Sequence, residues 1–280
     1  MKTHEQEFVF ILMPYMFGTT YWGTLACPNR SILIPCLHDE SYAYISIYKE
    51  MFQKAKGVLF HTPAEMELAS KLYGIEPSKC ALIGEGVDTQ IQGNGAHFKA
   101  KYHLDQYFLY AGRKDEGKNV HLLVQYFSDY KKVSQNNVKL VLIGGGQIDI
   151  PPEHAGKDIV DLGYVPAQDK YDAYAGATAL YNPSLNESFS IVIMESWLCG
   201  APVVVHENCE VTRDHCLFSN GGLYFNSFQD FVGCTDYLLS HPETQKQMAQ
   251  NGANYVKANF EWPIVLDKIN TSLKNWNLIN

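Results

Sequence analysis

Residues 179–206, ALYNPSLNESFSIVIMESWLCGAPVVVH, decide how the chain must fold. An apolar run from Ala179 to Tyr181 ends in a polar turn, an apolar segment of helical length covers Ile191 to Cys199, and a second apolar run spans Pro202 to His206. Short uninterrupted apolar runs read as strands buried on both faces, and two of them joined through a helix make the crossover of a parallel sheet. Glu187 and Glu195 flank the start of that helix, with seven residues between them. The loop after a parallel strand faces the ligand crevice, and a helix start presents unpaired N–H groups and partial positive charge to an anion there. Phe189, Ser190 and Ile191 are the residues whose amides would do this. Glu187 then borders the crevice, and Glu195, about one turn into the helix, points back to it as an acceptor for a diol. On spacing alone, the same pair also reads as an ordinary loop glutamate and an exposed helix glutamate.

The strand–helix alternation extends in both directions and predicts two α/β units. In the first, strands are expected at Phe8–Met13, Ser31–Pro35, Val58–His61 and Ala81–Ile83, with helices at Ala43–Lys56 and Pro63–Tyr73. Thr62 followed by Pro63, with Glu65 and Glu67 in the first turn, is a helix start signal. Gln90 to His97 (QIQGNGAH) is polar and glycine-rich and reads as a linker. Beyond it, strands are expected at Tyr107–Ala111, Lys139–Ile143, Ile159–Leu162, Ala179–Tyr181, Pro202–His206 and Gly222–Phe225. The matching helices are Val120–Val133, Ala167–Ala175, Ile191–Cys199, Phe228–Ser240 and Pro242–Ala258, with a last one at Pro263–Trp276. The first unit, with fewer than 90 residues before the linker at Gln90, reads as the back half of a nucleotide-binding domain.

Composition narrows the function. A net charge of -8 over 280 residues argues against a broad nucleic-acid surface, which has to neutralise phosphates with clustered Lys and Arg. Lys49, Lys54 and Lys56 are the one basic-leaning stretch, read as a solvated helix face with at most weak peripheral membrane contact. The 7 cysteines are scattered without a C-x-x-C pair, so neither a disulfide framework nor a zinc site is signalled, and a reducing cytoplasm fits. The run Phe8–Met13 is broken by Pro14 and is too short to span a bilayer.

A second constellation, YAGRKDEGKN (residues 110–119), sets Arg113 and Lys118 around the turn that follows a strand, where a doubly wound sheet holds phosphate. Together they would neutralise a diphosphate without a metal. The competing reading is a solvated turn. No D-x-D pair occurs, so a carboxylate-held divalent cation has no evident ligands. Gly144-Gly145-Gly146 follows a strand but lacks G-K-[S/T] and runs into prolines, so it reads as a tight sheet exit rather than a phosphate loop. His38 closes a strand and would reach the crevice between the units; His61 reads as a packing or capping residue.

With these residues in hand, the chain resembles the retaining glycosyltransferases of family 4, which have the GT-B fold. LIPCLHDESYAY, GVLFHTPAEMELASKLYG, ALIGEGVDTQ, YAGRKDEGKN, KLVLIGGG and DLGYVPAQDKYDAYAGATALYNPSLNESFSIVIMESWLCGAPVVV follow the family's order over residues 30–206. The resemblance implies a partial N-terminal Rossmann-like domain over 1–90, a complete nucleotide-sugar-binding Rossmann-like domain over 91–260 and a helix over 261–280 that crosses back. It implies Arg113 and Lys118 on the donor diphosphate, Glu195 on the ribose, Glu187 on the donor sugar, and Phe189, Ser190 and Ile191 near sugar and phosphate. Tyr164 and Val165 would meet the nucleobase, and His38 would approach the sugar. The implied reaction is transfer from a UDP- or GDP-sugar to a saccharide or glycolipid with retention, without a cofactor or metal, at the cytoplasmic side of the membrane in cell-surface polysaccharide synthesis. The leaving charge is stabilised electrostatically and Glu187 is no covalent nucleophile.

The chain departs from the family in two places. Ser188 and Ser190 stand where the family has glycine, which narrows the approach of backbone to ligand; a serine fits if its φ is ordinary. The family's first strand and glycine-rich acceptor loop have no counterpart, so a second chain that completes the first domain is expected. The alternatives are a non-catalytic nucleotide-sugar-binding partner of a split enzyme and another enzyme of the same fold, such as an epimerase.

Overall fold

A computed structural model of the chain describes residues 1–280. It forms two compact units, the first made of Met1–Gly86, Asn186–Phe189 and Asn259–Asn280, the second of Val87–Leu185 and Ser190–Ala258.

In the first unit β1 (Phe10–Leu12), α1 (Gly18–Ala26), β2 (Ser31–Leu33), α2 (Ile47–Lys54), β3 (Gly57–Phe60), α3 (Pro63–Tyr73) and β4 (Cys80–Leu82) alternate along the chain. The strands form one parallel sheet in the order β1-β2-β3-β4. Leu33, Val58, Phe60, Met51, Phe52 and Tyr73 fill the core between sheet and helices. The start signal at α3 is realised in full: the Thr62 side chain accepts the Glu65 N–H, Pro63 opens the helix, and Gly74 closes it at φ 63°. The C-terminal helix, Trp262–Asn275, belongs to this unit; beyond its end Trp276 lies on Gly57, where an added Cβ would sit 2.4 Å from the ring.

Two elements here differ from expectation. The single helix expected over Ala43–Lys56 is a 3-10 turn, Ser41–Tyr44, followed by the shorter α2. Helix α1 has no clear sequence signal because two glycines and three threonines, all poor helix formers, occupy it. Gly23 is closely packed there, since a Cβ would come within 3.2 Å of the Leu12 side chain.

The second unit contains α4 (Gly95–Tyr102), β5 (Tyr107–Ala111), α5 (Val120–Val133), β6 (Lys139–Ile143), β7 (Ile159–Gly163), α6 (Ala167–Gly176), β8 (Leu180–Asn182), α7 (Ile191–Leu198), β9 (Val203–His206), α8 (Glu210–Ser219), β10 (Gly222–Phe225), α9 (Phe228–Ser240) and α10 (Pro242–Asn259). Its six strands are parallel in the order β10-β9-β8-β5-β6-β7. Phe108, Tyr181, Phe225 and Phe231 pack in its core, and the buried Tyr181 hydroxyl meets Thr235 Oγ1 at 2.6 Å. No helix in either unit is long and apolar enough to cross a membrane.

The linker read over Gln90–His97 is corrected by the structure. Asn94 caps α4, whose first residue is Gly95, and the two flanking glycines serve contact rather than flexibility. A Cβ on Gly93 would lie 2.0 Å from the Tyr171 carbonyl, and one on Gly95 2.5 Å from that of Ala175, so both are required for α4 to lie on α6. The face between the helices is polar: Asp169 accepts from Lys101 at 2.6 Å and Tyr102 at 2.7 Å.

Candidate functional site

The strand order of the second unit creates the site. β6 and β7 extend to one side of β5, and β8, β9 and β10 to the other, so the chain reverses direction of growth between β5 and β8. Loops leaving two such neighbouring strands diverge and open a crevice at their carboxyl ends. The β5–α5 loop and the β8–α7 loop are the two that flank it.

Arg113 and Lys118 lie in the first of these loops. The Arg113 side chain is 78% exposed and its Nε approaches Asp115 Oδ2 at 3.5 Å, an interaction weak enough in water for an anion to replace it. Lys118 is half-buried at the end of a 3-10 turn, Glu116–Lys118, whose start is capped by the Asp115 carboxylate accepting the Lys118 N–H at 3.1 Å. Asn119, at φ 54°, then opens α5 and donates through Nδ2 to the Pro183 carbonyl at 3.1 Å. That bond ties the loop carrying the cations to the base of the β8–α7 loop.

Lys114, between them, has the opposite role. Its side chain is fully buried, and Nζ donates to the Gly144 carbonyl and pairs with Asp161 Oδ1 at 3.1 Å. Sequence reading missed it because a lysine amid Arg113, Asp115 and Glu116 looks solvated. Gly144, whose carbonyl it meets, has φ +120°, and a Cβ there would stand 2.0 Å from the Gly112 carbonyl. Gly146, at φ +98°, would bring a Cβ 2.8 Å from the Lys114 carbonyl, so Gly144 and Gly146 make the expected tight sheet exit against the β5 loop, while Gly145 meets nothing within 4 Å.

Across the crevice, the β8–α7 loop is held at its base by Asn182. Its Oδ1 accepts the Ser184 N–H at 3.1 Å and its Nδ2 donates to Ser190 Oγ at 2.9 Å. Ser190 stands at φ 76°, ψ 73°, so the condition of an ordinary φ fails at this position. A serine here occupies the left-handed region that glycine adopts without strain. Ser188 has no positive φ and meets the condition. Ile191 is the first residue of α7 and is 41% exposed.

Glu195 is turned into the fold of this unit. It is buried, and its two oxygens accept from Lys170 Nζ at 2.6 Å and from the Tyr174 hydroxyl at 3.1 Å, one turn apart on α6. Burial and this carboxylate push the Tyr174 phenol well above its ordinary range. A carboxylate has about four acceptor sites, and these two donors occupy two of them. Tyr164, 89% exposed, and Val165 follow β7 at the same carboxyl edge of the sheet.

The remaining expected residues belong to the first unit. His38 follows β2, its Nδ1 3.4 Å from Glu40 Oε2. Glu187 is half-buried in the four-residue segment Asn186–Phe189. Phe189 is a buried anchor, its ring 4.8 Å from that of Phe260 and 6.2 Å from that of His61, and the Thr62 hydroxyl donates to the Ser188 carbonyl at 3.3 Å. The expected capping or packing role of His61 holds as packing: it is buried, and desolvation lowers its pKa to about 4. Beside it lies Glu65, which the sequence marked only as a first-turn acid. Its carboxyl accepts the Leu37 N–H at 2.7 Å and the His61 N–H at 2.6 Å, joining the loop after β2 to the end of β3.

Comparison with known proteins agrees with this geometry. Residues 96–255 match the family model for glycosyl transferases group 1. The chain is 26% identical over 224 residues to N-acetylgalactosamine-N,N'-diacetylbacillosaminyl-diphospho-undecaprenol 4-alpha-N-acetylgalactosaminyltransferase of Campylobacter jejuni, covering 75% of this chain and 60% of that one. It is 28% identical over 169 residues to a D-inositol 3-phosphate glycosyltransferase of Acidothermus cellulolyticus, 54% of this chain and 38% of that one. Both matches thus span less than two thirds of the relative's length. Among solved structures, Anabaena HepE in complex with UDP has the same fold, with a TM-score of 0.79 at 16% identity over 98% of this chain and 80% of that one.

Proposed function

The chain belongs to the glycosyl transferases group 1 family, and on that premise we propose that it is a retaining, metal-independent glycosyltransferase acting on a nucleotide sugar such as a UDP- or GDP-sugar. The observation that carries this reading is the switch point between β5 and β8, where the loop that carries Arg113 and Lys118 and the loop that leads into α7 leave the carboxyl ends of neighbouring strands. Departure of a nucleoside diphosphate leaves negative charge on the bridging oxygen. Two cations and the positive end of a helix, fixed before reaction, stabilise that charge without solvent reorganisation. No protein nucleophile is required: the acceptor hydroxyl attacks the face from which the diphosphate leaves, and Glu187 and His38 position the sugar. Glu195 accepts from the ribose hydroxyls with its two remaining sites, and Tyr164 and Val165 meet the base.

The acceptor in this reading is a saccharide or glycolipid of cell-surface polysaccharide synthesis; the name of the Campylobacter relative gives that protein a saccharide on diphospho-undecaprenol as its acceptor. The reaction in this reading takes place at the cytoplasmic face of the membrane, with weak peripheral contact.

UDP or GDP should raise the melting temperature of the chain equally in EDTA and in magnesium. Arg113→Ala should weaken the tighter nucleotide by roughly 10- to 100-fold, the value of a charge-assisted hydrogen bond of about 1.5–3 kcal/mol. An unchanged affinity in that variant, or stabilisation that requires magnesium, overturns the assignment. Hydrolysis of the donor sugar by the wild-type chain separates an enzyme from a non-catalytic partner.

A further inference from the structure

Lys114 is a costly residue for its place. Arg113, Asp115 and Glu116 around it are exposed, while its own side chain is fully buried against an Asp161 carboxylate that keeps 27% of its surface in water. Burying an ammonium costs solvation that one carboxylate repays only in part, and an apolar side chain would fill the same space without that cost. Stability alone gives little reason for a lysine here. Its contacts give another. β5 and β7 share no ladder, because β6 lies between them. Lys114 Nζ, from the loop after β5, donates to the Gly144 carbonyl at the end of β6 and pairs with Asp161 Oδ1 on β7 at 3.1 Å, so one side chain spans all three exits. The same Asp161 oxygen accepts the Gly163 N–H at 2.9 Å. The ladder between β6 and β7 slips at this point: Leu142 is opposite Asp161 but Ile143 is opposite Gly163, which leaves Leu162 as an extra residue. Such a bulge re-aims the chain beyond it. Here the chain runs on through Gly163, at φ +64°, into Tyr164.

We propose that the buried Lys114–Asp161 pair positions the loop after β5 and the turn after β7 for a single ligand, so that a nucleoside diphosphate engages both at once. This rests on the reading of the second unit as a nucleoside-diphosphate site and extends it by two positioning residues. Lys114 acts through Arg113, its neighbour in the chain, and Asp161 acts through the bulge that leads into Tyr164 and Val165. A ligand that engages one of the two segments is indifferent to how they are held against each other. A ligand that spans both gains from their being fixed beforehand and loses that gain when the link is cut.

The test is titration calorimetry of the full chain with UDP, uridine and pyrophosphate, or with GDP and guanosine where GDP binds more tightly. Lys114→Met combined with Asp161→Asn removes both charges, keeps most of the lysine's apolar volume and leaves an acceptor for the Gly163 N–H, so the melting temperature should stay near that of wild type. The diphosphate should bind this variant about tenfold more weakly, while the nucleoside and pyrophosphate each stay within about twofold. Lys114→Met alone leaves behind only a carboxylate that water reaches, should show the same pattern, and decides the matter if the double variant does not fold. A diphosphate bound as tightly as by wild type, or an equal loss for all three ligands, overturns the proposal: the pair is then a brace of the sheet, and the site itself stands. A wild-type chain that binds neither diphosphate overturns the reading of the site as well.

Discussion

Gly144→Ala is expected to lower the melting temperature by roughly 8–16 °C, whereas Gly145→Ala, one residue on, should change it by a degree or two. The contrast follows from what a Cβ meets at each position. At Gly144 it would lie 2.0 Å from the Gly112 carbonyl, which is backbone and has no rotamer through which to retreat, and the φ of +120° is itself closed to a side chain. At Gly145 an added Cβ finds nothing within 4 Å, and φ is not in the left-handed region. Relieving the first clash means separating the exits of β5 and β6, and these are joined by Gly112 N–H to Ile143 O at 3.0 Å and Lys114 N–H to Gly145 O at 2.8 Å. It would also move the Gly144 carbonyl away from the buried Lys114 ammonium. A cost of about 4 kcal/mol or more is the usual result of an unyielding clash with loss of a buried polar contact. Circular dichroism melts of the two variants check it. A Gly144→Ala chain within two degrees of wild type would mean that the sheet exit is not the constraint described here.

The same region shows what a sequence can and cannot disclose. β5, β6, β10, α3, α5 and α9 fall where periodicity and caps put them, because each is a long apolar or amphipathic run with a clear boundary. The cations of the β5–α5 loop and the helix start after β8 were legible for a similar reason: residue type and position after a strand suffice to put them at the carboxyl edge. What was not legible depends on distant partners. Gly93 and Gly95 resemble a flexible linker until Tyr171 and Ala175 are seen against them. Lys114 cannot be told from its solvated neighbours until Asp161, on β7, arrives beside it. The left-handed φ of Ser190 has its counterpart in Asn182, eight residues back, and nothing in the local spacing announces the bond.

Glu65 is the plainest case of a function concealed by an ordinary signal, and replacing it should have the largest effect in the first unit. Glu65→Ala removes the acceptors of the Leu37 and His61 amides together. Each buried N–H left without a partner costs about 1–3 kcal/mol, so a loss of about 4 kcal/mol is expected. Titration supplies a second readout. Burial, outweighing three backbone N–H donors, lifts the Glu65 carboxyl from 4.5 to about 8, and burial lowers His61 from 6.5 to about 4. The 3.8 Å approach of His61 Nδ1 to Glu65 Oε2 is therefore a contact between two neutral groups, not an ion pair. Between pH 4.5 and 6.5 the folded pair holds one proton, on Glu65, and the unfolded pair holds one, on His61, so together they leave stability level. Above pH 6.5 the unfolded pair holds none while folded Glu65 keeps its proton up to about pH 8, so stability falls as pH rises through that interval. One proton over about 1.5 pH units amounts to roughly 2 kcal/mol. Urea unfolding followed from pH 5 to 9 should show the decline in the wild type and its absence in Glu65→Ala. If the two chains keep parallel profiles above pH 6.5, Glu65 is ionised in the folded state and the amides at Leu37 and His61 hold a carboxylate instead.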